Sequence, residues 1–122
     1  MRAIILIFLI NFASNVWANN VVTGSAGSRL EGEVVSKFNK PWAMSFINND
    51  NLLITTKAGK LWLVNRSGEH SLVSETPKVF EGGQGGLGDV VLHPNYKSNK
   101  LVYISYIDSD DEGRTRYATV IR

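Results

Sequence analysis

The sequence predicts an all-β protein, and three observations support this fold class. Short runs rich in β-branched and aromatic residues recur along the chain, and clusters of Gly, Asn, Asp, Ser or Pro separate them. No stretch has the sustained apolar spacing of an amphipathic helix. Two runs, at residues 61–64 and 101–104, are apolar throughout, which predicts strands that are covered on both faces of their sheet.

Seven strands are predicted, and most of them end at a turn signal. They lie at residues 34–38, 42–47, 52–56, 60–64, 89–93, 101–107 and 116–121. Asn and Asp residues at 48–51 separate the second strand from the third, and Lys-Ala-Gly at 57–59 separates the third from the fourth. Turns at 66–68 and 94–96 end the fourth and fifth strands, and the acidic segment 108–113 joins the last two.

A weak internal repeat relates the two halves of this series of strands. Aligning the runs places Ala43 on Val90, 47 residues later, and Leu52 on Leu101, 49 residues later. A β-propeller blade of four antiparallel strands takes about 40–50 residues and is stacked between two neighbouring blades. The repeat therefore predicts a β-propeller, and stacking explains strands that are apolar on both faces.

The predicted propeller is incomplete. Its first blade runs from about Trp42 to Val79, and its second begins near Asp89 and has reached only its third strand at Arg122. Because a ring needs at least about 4 blades, one and a half to two blades cannot close one. A small closed β-sandwich remains the alternative fold.

The first eighteen residues have the pattern of an export signal. Arg2 precedes an unbroken apolar run at 3–10, and Val-Trp-Ala at 16–18 supplies the small or medium residues that a signal peptidase needs. A membrane-spanning helix would need about 20 apolar residues, which this run does not reach. We predict a signal peptide over residues 1–18, cleavage after Ala18 and a released product without a membrane anchor.

The rest of the chain divides into two predicted parts. Residues 19–33 are polar and rich in Gly and Ser, which predicts a flexible leader without fixed structure. Residues 34–122 carry the strands of the partial propeller. The formal net charge of +2 is close to balance and predicts no nucleic-acid partner. The absence of cysteine excludes disulfides, thiol catalysis and iron–sulfur clusters.

A glycine-rich segment at residues 81–89 is the most conspicuous local feature. Its core, Gly83-Gln84-Gly85-Gly86-Leu87-Gly88, formally satisfies the dinucleotide pattern G-x-G-x-x-G. That pattern requires a following helix, whereas a β-branched run follows here. Glycines also allow a ligand to approach the backbone closely, and Gln84 is the only long polar side chain in the core of this loop. The alternative is a tight turn between blades with Gln84 in solvent.

Two other candidate sites are interpreted as structural. The segment 108–113 resembles the first half of a calcium loop, but Thr119 stands where the bidentate Glu should be, which favours a solvated acidic hairpin. His70 and His93 have no partner at a spacing suited to a metal or a catalytic pair. Both histidines are therefore predicted to be structural.

Six motifs resemble those of a known family, and they occur in the family's order. They are PWAMSF at 41–46, NLLITT at 51–56, GKLWLV at 59–64, GQGGL at 83–87, VLHPNY at 91–96 and LVYISY at 101–106. The sequence from 34 to 122 resembles the start of the soluble sugar dehydrogenases that depend on pyrroloquinoline quinone (PQQ), the glucose/sorbosone dehydrogenase family.

This resemblance implies a six-bladed β-propeller exported to the periplasm. It also implies oxidation of an aldose at its anomeric carbon, with PQQ as the hydride acceptor and calcium to hold and polarise the quinone. In the family, the glutamine of the glycine-rich loop contacts the sugar, and Gln84 stands at that position. A carboxamide suits this role because it can both donate to and accept from a hydroxyl without carrying charge.

The chain departs from the family pattern in several places. The family's general-base histidine, the arginines that hold the quinone and the calcium ligands would all follow Arg122, and neither His70 nor His93 matches the base. Thr56 stands where relatives often have Glu. No catalytic and no metal-binding residue is therefore predicted here, and the chain is expected to be an N-terminal fragment that is inactive alone. The alternative is a non-enzymatic periplasmic β module that binds carbohydrate or protein.

Overall fold

The structure is a computed structural model that describes residues 20–73 and 76–122. The predicted signal peptide at 1–18 lies outside the described residues. The chain divides into two units, one that ends at Val34 and one that runs from Val35 to Arg122. Within the described residues, no helix is long and apolar enough to cross a bilayer.

The described part of the first unit is a β-hairpin. Strand β1 (Asn20–Thr23) pairs antiparallel with β2 (Arg29–Gly32), and the turn between them is closed by a 2.7 Å hydrogen bond from the Gly24 amide to the Ser28 carbonyl. Gly27 has a φ of 83°, a conformation that favours glycine. The prediction of a leader without fixed structure at 19–33 is therefore wrong. The apolar pattern of the sequence does not predict this hairpin, because residues 21–32 are all exposed.

The second unit begins with a four-stranded antiparallel sheet in which the strands follow chain order. It consists of β3 (Pro41–Phe46), β4 (Asn51–Thr56), β5 (Lys60–Asn65) and β6 (His70–Leu72). Three of these strands match their predicted bounds to within one residue. The short strand β6 was not predicted, because its three residues, His-Ser-Leu, are all exposed and carry no alternating pattern.

The predicted strand at 34–38 is not formed. The segment instead lies against the first sheet, where the Phe38 ring packs on Trp62 and His70 with centroid distances of 5.8 and 4.9 Å. Gly68 is in close contact with the Val35 carbonyl, and any side chain at position 68 would overlap it. Phe38 therefore covers part of the sheet face, whereas Val35 is 51% exposed, and the segment adds no strand to the sheet edge.

A three-stranded antiparallel sheet follows, again in chain order. It consists of β7 (Leu87–Leu92), β8 (Val102–Asp108) and β9 (Tyr117–Ile121). The short helix α1 (Tyr96–Asn99) lies between β7 and β8 and ends at Lys100, whose φ is 58°. The prediction of a second group that reaches its third strand is confirmed, although β7 begins two residues before the expected Asp89.

The core of the second unit lies between the two sheets. Buried side chains come from both of them: Leu53, Leu61, Leu87, Val90 and Ile104. The opposite face of the first sheet is more open, since Trp42, Met44 and Phe46 of β3 are 53%, 64% and 63% exposed. The sequence predicts that both faces of the sheet are covered. Within the described residues, the first sheet is covered on the face that contacts the second sheet, and its other face is more open.

Both sheets have a β-bulge in their first strand. In β3 the register shifts between Pro41 and Met44, and in β7 it shifts between Leu87 and Val90. The two bulges are 46 residues apart, whereas the repeat in the sequence predicted 47. Each bulge adds one residue to one strand only, and such a residue cannot be located from an apolar pattern that continues through it.

A side-chain hydroxyl group stabilises each bulge in the same way. The Ala43 amide donates to Thr55 Oγ1 at 3.0 Å in the first sheet, and the Asp89 amide donates to Ser105 Oγ at 2.9 Å in the second. Thr55 and Ser105 are 50 residues apart, one more than the 49 predicted for these strands. The internal repeat is therefore a repeat of hydrogen bonding as well as of strands.

Candidate functional site

The glycine-rich segment folds into a tight turn with Gln84 at its tip. Gly82 and Gly85 are paired by two backbone hydrogen bonds of 3.3 and 2.8 Å, which leaves Gly83 and Gln84 as the two central residues. Gly83 has a φ of 56° and Gln84 is not among the residues with positive φ. This is the pattern of a type II′ turn, which requires glycine at its first central position.

One residue of β8 holds the base of this loop. The Ile107 carbonyl accepts a hydrogen bond from the Phe80 amide at 2.9 Å, and the Ile107 amide donates to the Gly86 carbonyl at 2.9 Å. The two ends of the loop, Phe80 and Gly86, are thereby both hydrogen-bonded to the same residue of β8. Gly85 lies against the Ile107 side chain, where an added Cβ would come within 3.0 Å of Cγ1.

Lys57, in the turn between β4 and β5, holds the loop from the other side. Its carbonyl accepts a hydrogen bond from the Leu87 amide at 3.1 Å, and its ammonium group donates to the Gly83 carbonyl. Gly86 must be glycine here, because its φ is 155° and a Cβ would overlap the Lys57 carbonyl oxygen. Lys57 Nζ also lies 5.9 Å from the centre of the Trp42 ring.

A second lysine contacts the start of the loop. Lys40 Nζ is 2.6 Å from Glu81 Oε1, and the Lys40 carbonyl accepts a hydrogen bond from the Lys57 amide at 3.0 Å. The side chains of Lys40 and Glu81 are 58% and 31% exposed, so this ion pair contributes at most about 1 kcal/mol to stability. Its contribution is to orient the loop.

Gln84 is exposed, and no partner for its carboxamide lies within the described residues. It can therefore offer a donor and an acceptor to a ligand. Strand β7 follows the loop directly, which confirms that the G-x-G-x-x-G pattern opens no helix here. The sequence pattern singles out Gln84 and its glycines, but it gives no role at the loop to Lys40, Lys57 or Glu81.

The two histidines make contacts of a structural kind. His93 Nδ1 accepts a hydrogen bond from the Asn95 amide and another from Asn99 Nδ2, both at 2.9 Å, so its proton is on Nε2. Its ring stacks on Tyr103 at 6.0 Å. The His70 ring packs edge-on against Trp62 at 5.2 Å. Both rings are therefore engaged by neighbouring side chains, and the structural role of the two histidines stays a prediction.

The acidic segment is the hairpin loop between β8 and β9. Among residues 20–73 and 76–122, no three His, Cys, Asp or Glu residues are grouped so as to hold a metal ion. The Asp111 carboxylate instead accepts hydrogen bonds from the Thr115 amide at 2.6 Å and the Thr115 hydroxyl at 2.7 Å. The described residues of this loop therefore do not fit calcium.

The hydrogen bonds from Thr115 lower the pKa of Asp111 below its usual 3.8. Because the pKa is lower in the folded loop than in the unfolded chain, the ionised carboxylate stabilises the loop above the usual pKa. This contribution is lost as the pH falls through the lower, folded value. We expect a carboxyl titration by NMR to give Asp111 a pKa below 3.8, and Thr115→Val to raise that pKa. An Asp111 pKa unchanged by Thr115→Val would contradict this expectation.

Comparisons with known proteins define the class to which this fold and loop belong. The family model for glucose/sorbosone dehydrogenases matches residues 38–122. The chain is 33% identical over 117 residues to the aldose sugar dehydrogenase YliI of Escherichia coli, in a match that covers 93% of this chain and 29% of that relative. It is 34% identical over 76 residues to quinoprotein glucose dehydrogenase B of Acinetobacter calcoaceticus, in a match that covers 59% of this chain and 16% of that relative.

The class is thus that of the sugar dehydrogenases. Within it, the chain belongs to the glucose/sorbosone dehydrogenase family, as its motifs predict. The chain spans less than a third of the length of either relative.

Solved structures give the same result for the fold. The crystal structure of the soluble aldose sugar dehydrogenase from E. coli in its apo form superposes with a TM-score of 0.61 and 33% identity, over 67% of this chain and 24% of that one. The PQQ-bound aldose sugar dehydrogenase of Streptomyces coelicolor gives 0.60 and 25% identity, over 70% and 25%. The two sheets are open and resemble blades of these propeller-type enzymes, which confirms the predicted propeller blades and favours them over the closed sandwich.

Proposed function

We propose that the chain contributes the first two blades and one sugar-binding residue of an exported, PQQ-dependent aldose dehydrogenase. The observation that carries this proposal is the type II′ turn whose tip presents the Gln84 carboxamide, which has no partner among the described residues. The names of the relatives support the chemistry, since they include aldose sugar and quinoprotein glucose dehydrogenases. The reaction proposed is oxidation of an aldose at its anomeric carbon.

Gln84 would bind and orient the sugar in this reaction. Its carboxamide oxygen can accept a hydrogen bond from one hydroxyl, and its NH₂ group can donate to another oxygen. The amide carries no charge, so it discriminates by hydrogen-bond geometry and takes no part in proton transfer. A turn fixed at both ends reduces the conformational entropy that Gln84 loses when a sugar binds.

The described residues do not by themselves complete such a site. PQQ, when bound, supplies the hydride acceptor, and no residue here replaces it. Among the described residues no cluster suits calcium, so no step is assigned to that ion on this chain. The two histidines are already engaged, His93 through Asn95 and His70 through its aromatic neighbours. We therefore propose that the general base and the cofactor ligands lie in other parts of the full-length gene product, and that this chain alone is inactive.

A test of the activity begins with the full-length gene product, loaded with PQQ and calcium. We expect it to reduce a dye with aldoses as electron donors, and we expect no reduction when PQQ is omitted. Binding of sugar without any dye reduction would favour the alternative, a non-enzymatic carbohydrate-binding module. Binding of neither sugar nor quinone would contradict both.

Gln84→Ala is expected to lower kcat/KM for the preferred aldose by about 1–3 kcal/mol, roughly 5-fold to 150-fold. The change removes the only hydrogen-bonding side chain at the tip of the turn and leaves the glycines in place. Asn49→Ala is the matched control, because Asn49 is an exposed amide in a turn of the first sheet. Equal steady-state constants for Gln84→Ala and the unaltered enzyme would show that the loop is purely structural.

Export of the product through cleavage after Ala18 is part of the same proposal. We expect the mature protein in the periplasmic fraction of a Gram-negative host to begin at Asn19 when its N-terminus is sequenced. A retained N-terminus, with the protein in the membrane fraction, would contradict it.

A further inference from the structure

We propose that Lys57 is a positioning residue for sugar binding, because its ammonium group fixes the turn that carries Gln84. This inference rests on the proposed role of Gln84 and extends it to a residue in a different sheet. Lys57 is 27 residues before Gln84, in the turn between β4 and β5. Its effect on the sugar is indirect and passes only through the loop.

Three atoms of Lys57 connect the first sheet to the loop. Its amide donates to the Lys40 carbonyl at 3.0 Å, which fixes Lys57 within its own sheet. Its carbonyl accepts from the Leu87 amide at 3.1 Å, which fixes the point where the loop enters β7. Its ammonium group donates to the Gly83 carbonyl, next to Gln84 in the chain.

The bond to Gly83 matters because no other side chain of the described residues supports the tip of the turn. Nothing lies within 4 Å of the position that a Gly83 Cβ would occupy, so the tip is not packed. Glycine also has more backbone freedom to lose than any other residue. The hydrogen bond from Lys57 is the only one that a side chain within the described residues makes to Gly83 or Gln84. Without it, Gln84 would sample more orientations before the sugar binds.

The Trp42 ring restrains the lysine itself. Lys57 Nζ lies 5.9 Å from the ring centre, a distance typical of a cation–π contact. Lys60, three residues further on, has an equivalent position over Trp62 at 5.7 Å. The ammonium group of Lys60 makes no hydrogen bond to any described residue. The same hairpin thus contains two lysines over tryptophans, and only one of them reaches the loop.

A double-mutant cycle tests the proposal in the full-length gene product loaded with PQQ and calcium. Lys57→Met keeps most of the apolar stem and removes the charge. We expect it to raise KM for the aldose by about 5-fold to 10-fold with kcat within about 2-fold, because it weakens binding before the chemical step. In the Gln84→Ala background, the same change is expected to raise KM by less than about 2-fold, since the two residues act as one unit.

Two further variants separate positioning from a general effect on the fold. Lys57→Arg restores a cation that can donate to Gly83 and is expected to recover KM to within about 2-fold of the unaltered enzyme. Lys60→Met is the matched control and is expected to leave KM unchanged. Hydrogen exchange at the amides of 83–85, measured without sugar or cofactor, is expected to be faster in Lys57→Met than in Lys60→Met.

The outcomes distinguish failure of this inference from failure of the proposed function. If Gln84→Ala alone leaves KM unchanged, the proposed function of Gln84 is wrong. If Gln84→Ala raises KM but Lys57→Met adds the same factor with and without Gln84, then Lys57 does not act through Gln84 and this inference is wrong. Equal exchange rates in Lys57→Met and Lys60→Met would overturn it as well.

Discussion

Leu87→Ala is expected to lower the free energy of unfolding by about 3–5 kcal/mol, a larger loss than we expect from truncating any exposed apolar residue of the chain. Leu87 is 1% exposed and lies in the core between the two sheets, with Leu53 and Leu61 from the first sheet. Truncation removes buried methyl groups and leaves a cavity that two hydrogen-bonded sheets cannot easily close. The measurement is urea unfolding of the full-length gene product, followed by far-ultraviolet circular dichroism.

Leu72→Ala is the matched control for this prediction. Leu72 lies in the edge strand β6 and is 53% exposed, so the same truncation is expected to cost less than about 1 kcal/mol. Alanine retains the backbone amide, so Leu87→Ala leaves the hydrogen bond to the Lys57 carbonyl in place. Equal losses at the two positions would show that the sheets do not pack against each other through Leu87.

Thr55→Val is expected to lower the free energy of unfolding by about 2–4 kcal/mol. The Thr55 side chain is fully buried, at 0% exposure, and its hydroxyl serves both sheets. It accepts a hydrogen bond from the Ala43 amide at 3.0 Å and donates one to the Gly88 carbonyl at 2.7 Å. Valine has nearly the same shape, so the change leaves a partly buried donor and a partly buried acceptor unpaired without creating a cavity.

Thr56→Val is the control for Thr55→Val. The substitution is the same and both side chains are buried, but the hydroxyl groups differ in the hydrogen bonds they make. Thr56 is also buried, at 3% exposure, but its hydroxyl makes a single long bond of 3.3 Å to the Lys60 carbonyl. We expect a loss of about 1 kcal/mol or less in the same unfolding experiment. If both threonines gave the same loss, burial of a hydroxyl would explain the result and the contact between sheets would not.

The sequence predicted the central strands well because their residues determine them locally. Strands β4 and β5 are rich in β-branched and aromatic residues between clear turns, and their bounds were right to within one residue. The segment 34–38 has a similar apolar content but forms no strand, and its Phe38 ring packs on the distant residues Trp62 and His70. Composition cannot separate a strand from such a segment, since an aromatic side chain can pack on a sheet from either one.

The candidate site was predictable in part. The glycines at 83 and 85 indicate a turn, and the family motif singled out Gln84. The lysines that hold the loop were not predictable, because Lys57 and Lys40 contact it across 26 and 41 residues of chain. An exposed lysine has no local pattern that distinguishes a contact of this kind from a solvated side chain. These residues come together only when the two sheets pack against each other in the folded protein.

Ile107 holds the glycine-rich loop through two main-chain hydrogen bonds, and this affects how the loop can diverge among relatives. Because neither bond involves the side chain, any residue that fits beside Gly85 could replace Ile107 without detaching the loop. A shift of β8 by one residue would instead offer the loop a neighbour whose amide and carbonyl point to the other edge of the strand. We therefore expect substitutions of Ile107 to be tolerated, whereas an insertion or deletion within β8 would displace the loop.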